Sequence, residues 1–116
     1  MASDCEGLWL NSKINGNEDG EIELIEVVPG LLAGTHFQSQ NLIVGTCREG
    51  TPPHIQLTRM DGIGFIYVYE GDITRKANPD RFVIEGNAVR IAGPFGLSPK
   101  ELRPAAGDDW TAEKPT

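Results

Sequence analysis

Three observations predict an all-β fold, an eight-stranded antiparallel up-and-down barrel. Glycine (14 residues) and proline (8 residues) punctuate the whole chain. The apolar runs between them are short and rich in β-branched and aromatic residues, and none holds a helical period for ten residues or more. The links between runs are mostly of hairpin length, and strands joined by short hairpins meander and close into a barrel.

The first strand is Gly7–Asn11, and the turn residues Asn15-Gly16-Asn17 and Asp19-Gly20 separate it from the second, Glu21–Val28. Acid-rich Glu18-Asp19-Gly20-Glu21 lacks calcium-loop spacing and is expected to be a solvated hairpin. Pro29-Gly30 turns the chain into Leu31–Phe37, which is followed by Asn41–Cys47. Glu49-Gly50-Thr51-Pro52-Pro53 leads to His54–Arg59, and Asp61-Gly62 to Phe65–Thr74. Asn78-Pro79-Asp80 precedes Arg81–Ala92, which is long enough to bend. Pro94–Gly107 is a crossing loop in which Ser98–Leu102 can make one helical turn. Asp109–Glu113 closes the sheet, and the tail beyond Lys114 is expected to fray.

A chain of 116 residues suits one domain, 1–116. Net charge is −7, from 17 acids against 10 scattered bases, which argues against nucleic acid and anionic membranes as partners. No apolar run approaches membrane-spanning length. The first residues show no basic stretch followed by an apolar one, so a cytoplasmic location is expected, or a secreted one if a leader was removed. Cys5 and Cys47 match no metal spacing. They are expected as free thiols in a reducing compartment, the alternative being a disulfide from the N-terminal arm to a mid-chain strand.

Gly34, Gly45, Gly71 and Gly86 fall inside strands, where glycine marks a bend or a close approach of backbones. Alternation places Ile55, Leu57 and Arg59 inside, with Arg59 at one mouth of the barrel. Phe65, Tyr67 and Tyr69 are expected inside on the next strand, because a cavity suits aromatic walls with polar tips. His36 turns on register. A two-residue Pro29-Gly30 hairpin pairing Val28 with Leu31 points it to solvent, whereas a one-residue shift points it in.

Gly7-Leu8-Trp9-Leu10-Asn11 at the start, Gly34-Thr35-His36 in the third strand and Asp108-Asp109-Trp110 with Lys114 at the end resemble the calycin superfamily, most closely the avidins. The resemblance implies that Trp9 plugs the closed end with Lys114 across its face, and that Trp110 belongs to the closing strand. It implies that Asn11 faces the ligand and that His36 replaces a tyrosine that donates to it. It also implies homo-oligomers. The middle strands lack the family's tryptophan walls, so a biotin site of that kind is not expected.

No catalytic motif is present, and Gly62-Ile63-Gly64 reads as a turn rather than a nucleotide loop. Two histidines without partners make no metal site, and no cofactor is implied. The expected function is non-biotin binding of a small hydrophobic molecule in the barrel cavity, with Asn11, His36, Arg59, Tyr67 and Tyr69 as its polar contacts. The alternatives are a cofactor-free cyclase or isomerase that folds a linear polyketide- or terpenoid-like chain by positioning it, and a structural or oligomerisation domain.

Overall fold

Asn15 and Gly16 both take positive φ, 52° and 78°, as a two-residue primed hairpin demands. This tight turn joins β1 (Gly7–Ile14) to β2 (Asn17–Val28). The chain continues through β3 (Leu31–His36), β4 (Asn41–Arg48), β5 (His54–Met60), β6 (Ile66–Lys76) and β7 (Arg81–Gly93). A two-residue strand, β8 (Gly96–Leu97), extends β7, and β9 (Asp108–Pro115) ends the fold. The computed structural model describes residues 3–36, 41–62, 64–93, 96–97 and 108–116. Phe37 and the predicted turn Ser98–Leu102 lie outside them.

Every neighbouring pair is antiparallel. The strands from β1 to β7 pair in sequence order, β7 pairs β9, and β9 pairs β1. The sheet therefore closes as an eight-stranded up-and-down barrel, the predicted fold, and among the described residues closure leaves its eight strands without a free edge.

The four strand glycines make the curvature possible. A Cβ on Gly34 would stand 1.9 Å from the Glu23 carbonyl oxygen, and one on Gly86 1.9 Å from that of Glu70. Gly71 and Gly86 face each other across β6 and β7. Large inward residues fill the space beside them, among them Leu24, Ile43, Ile55, Leu57 and Trp110. Small and large side chains thus alternate to fit the narrow interior.

Two expected boundaries are corrected. Glu18–Glu21 is strand rather than hairpin, because the Asn15-Gly16 turn already reverses the chain. The tail does not fray: β9 reaches Pro115, and the Thr116 hydroxyl donates to Asp80 Oδ2 at 2.9 Å.

One end of the barrel is sealed. Trp9 is fully buried, and its indole N–H donates to the Cys5 carbonyl at 2.9 Å. The Lys114 ammonium lies 4.8 Å from the Trp9 ring centroid and donates to the Glu6 carbonyl. Glu6 Oε1 in turn accepts the Glu26 backbone N–H. The expectation of free thiols is overturned: Cys5 and Cys47 form a disulfide that ties the arm to β4. Both cysteines are buried beside the plug, which brings their sulfurs together despite a separation of 42 residues.

Candidate functional site

The β1–β2 hairpin, the end of β3, the start of β4 and the β5–β6 turn meet at the opposite end of the barrel. Here the interior is polar. Asp19 is the hub, and one oxygen of its carboxylate, Oδ2, accepts three side-chain donors. They are the Ser12 hydroxyl at 3.0 Å, His36 Nε2 at 3.0 Å and the Tyr69 hydroxyl at 3.1 Å. Trp110 Nε1 donates to Ser12 Oγ at 2.9 Å, so the serine relays the indole N–H to the carboxylate. Arg59 brings Nη1 to 3.1 Å from His36 Nδ1 and Nη2 to 3.8 Å from Asp19 Oδ1.

These contacts order the protons. A guanidinium only donates, so His36 Nδ1 accepts from Arg59 and the ring proton sits on Nε2, pointing at Asp19. Burial pushes the Asp19 carboxyl up, but the hydrogen bond from His36, the field of Arg59 and the Ser12 hydroxyl outweigh it. Asp19 therefore titrates below the ordinary carboxylate value. Burial first, and the Asp19 charge next, raise the Tyr69 hydroxyl far above its usual range, so it remains a donor.

Arg59 is only 9% exposed, and its guanidinium carbon lies 4.1 Å from the Tyr67 ring centroid and 5.9 Å from that of Tyr69. Tyr69 packs on Trp110 with centroids 4.9 Å apart. Arg59 Nε is buried and has no hydrogen-bond partner among the described residues. The arrangement thus presents a fixed cation beside an aromatic face, with one N–H unspent.

Of the sequence-predicted contacts, the structure brings His36, Arg59, Tyr67 and Tyr69 together, with Tyr67 half-buried. Asn11 does not join them. Its φ of 52° makes it the extra residue of a bulge between Trp9 and Ser12, which turns Ser12 inward and Asn11 outward. Asn11 donates to Glu113 Oε1 at 3.0 Å and lines an outer cleft of about 140 Å³ with Lys13 and Thr111. His36 faces inward, so the solvent-facing outcome of the two-residue hairpin is overturned. Val28 does pair Leu31, but Val27 is an extra residue between Glu26 and Val28, and the shift turns Leu32, Gly34 and His36 inward.

Sequence reasoning missed Asp19 and Ser12. Asp19 is the extra residue where Ser12 pairs Gly20 and Lys13 pairs Glu18, next to a glycine with φ 118°. That Asp-Gly pair was the one available signal, and it reads equally well as a turn.

Fold and site together define a closed antiparallel barrel, plugged at one end and lined with buried charge at the other. Compared with protein-family models, curated proteins and solved structures, the chain matches none of them.

Proposed function

We propose that the barrel binds a small, mainly apolar molecule at its polar end, and that Arg59 and Tyr67 receive a carbonyl or carboxylate oxygen of that molecule. The unspent Nε of Arg59 carries this reading, because a buried donor without an acceptor costs stability that a ligand oxygen would recover. The Asp19–His36–Arg59 array supports it. An apolar filling would suit a purely structural core at least as well as a buried ion pair, so the charged groups point to a task beyond folding. The likeness of the chain's two ends to the avidins agrees with ligand capture inside a barrel. The Cys5–Cys47 bridge favours an oxidising compartment over the cytoplasm.

The test is calorimetric titration of the purified chain with medium-chain carboxylic acids, ketones and the matching alkanes. Saturable binding of an oxygen-bearing ligand, weakened at least about tenfold by Arg59→Met, is expected. Equal affinity in Arg59→Met, or no saturable binding across the panel, would refute the reading.

A further inference from the structure

We propose that the molecule bound at the polar end is a carboxylate, and that Arg90 is the second cation that selects it. This inference rests on the binding reading above and narrows it. Cross-strand pairing sets Arg59 of β5 against Tyr67 of β6, and Tyr67 against Arg90 of β7. Residues directly opposite each other share one face of a sheet. Arg59 is buried on the inner face, and so is Ala88, two residues before Arg90. The three residues therefore form one inward row at the polar end, with Arg59 deep and Arg90 exposed at the rim. The Phe65 ring completes the row. Its centroid lies 6.4 Å from that of Tyr67, and the Arg90 guanidinium carbon lies 5.0 Å from it. With the Arg59 guanidinium carbon 4.1 Å from the Tyr67 centroid, two cations bracket two aromatic rings.

The row is rich in donors. A guanidinium only donates, Arg59 Nε is buried without a partner among the described residues, and the Tyr67 hydroxyl makes no hydrogen bond to another described residue. Neighbouring strands lie about 4.8 Å apart, so the backbones at Arg59 and Arg90 stand roughly 10 Å apart with Tyr67 between them. A carboxylate over Tyr67 falls between the two cations. Its two oxygens can accept from Arg59 Nε, the Tyr67 hydroxyl and Arg90 together, whereas a ketone offers one oxygen. Charge points the same way. Asp19, 3.8 Å from Arg59, already balances that cation, and Asp61 of the β5–β6 turn spends Oδ1 on the Phe65 backbone N–H at 2.9 Å. Arg59 thus supplies a donor, and Arg90 supplies the charge that an anion balances. The chain as a whole carries −7 and repels anions at long range, so only a local cation can retain one. A hydrogen bond from guanidinium to carboxylate is roughly twice as strong as a neutral one.

Calorimetric titration of the full chain with decanoate and with methyl decanoate reads the selection directly, because the two probes share a tail and differ in charge. Wild type should bind decanoate at least about tenfold more tightly than the ester. Arg90→Gln should reduce that preference to about twofold or less, while near-ultraviolet dichroism from the buried Trp9 and Trp110 is kept. Arg90→Lys keeps the charge without the planar fork and should retain part of the preference. Arg75→Gln removes an exposed cation beside the β6–β7 turn at the sealed end and should leave the preference unchanged, which separates a local cation from net charge. Equal affinity for the two probes, or a preference that survives Arg90→Gln, would overturn this inference, and the binding reading would stand without it if Arg59→Met still weakened the ester. Absence of saturable binding by either probe would overturn both.

Discussion

The two ends of this barrel are closed by opposite chemistries. At the sealed end Trp9, the Cys5–Cys47 bridge and Lys114 make a plug whose polar groups are satisfied by backbone carbonyls. At the other end Asp19, His36, Arg59 and Tyr69 fill the same kind of space with charge and hydroxyl, and the buried Arg59 Nε has no partner among the described residues. An apolar plug gains stability from burial alone. A charged cluster must first recover its desolvation, so its presence in so small a core separates a stabilising end from a working one.

The sharpest way to break this contrast is at the plug. Trp9→Ala should lower unfolding free energy by about 3–5 kcal/mol in urea titration, since it removes a fully buried indole and its hydrogen bond. Replacing both Cys5 and Cys47 by serine should cost about 2–4 kcal/mol in the same assay, because the bridge closes a loop spanning 42 residues. A loss under about 1 kcal/mol in either would show that this end is not the main support.

Single changes at the polar end should be felt through broken pairing. Asp19→Asn strips Arg59 of its counter-charge and should cost about 3 kcal/mol, whereas Tyr69→Phe loses one hydrogen bond and should cost about 1 kcal/mol. The smallest effect is in acid. Because the folded Asp19 carboxyl is lowered, its contribution is fully present above the ordinary carboxylate value and is lost as pH falls through the lower folded value. Wild type should therefore lose more stability between neutral and strongly acid pH than Asp19→Asn does. Parallel pH curves would remove Asp19 as the hub.

The barrel was largely legible in the sequence, because glycine–proline punctuation and alternation are local signals that closure preserves. Ile55, Leu57 and Arg59 face inward as alternation requires, and Gly34 and Gly86 sit where backbones nearly touch. The candidate site was legible only in part, because three bulges invert alternation around it. Asn11, Asp19 and Val27 are each an extra residue in one strand, and each turns a neighbour to the other face. The family resemblance assigned Asn11 to the cluster, and turn chemistry at Asp19-Gly20 assigned Asp19 to solvent. The cysteine pairing was beyond local reading as well, since only the crossing arm under Trp9 brings the two sulfurs together.

The most direct test of the division between the two ends is the binding isotherm of the triple variant Asp19→Leu, His36→Leu, Arg59→Met, titrated with an oxygen-bearing ligand that saturates the wild type. Replacing these three side chains with apolar ones should leave a cooperatively folded barrel and abolish binding. A variant that still binds with wild-type affinity would contradict the account.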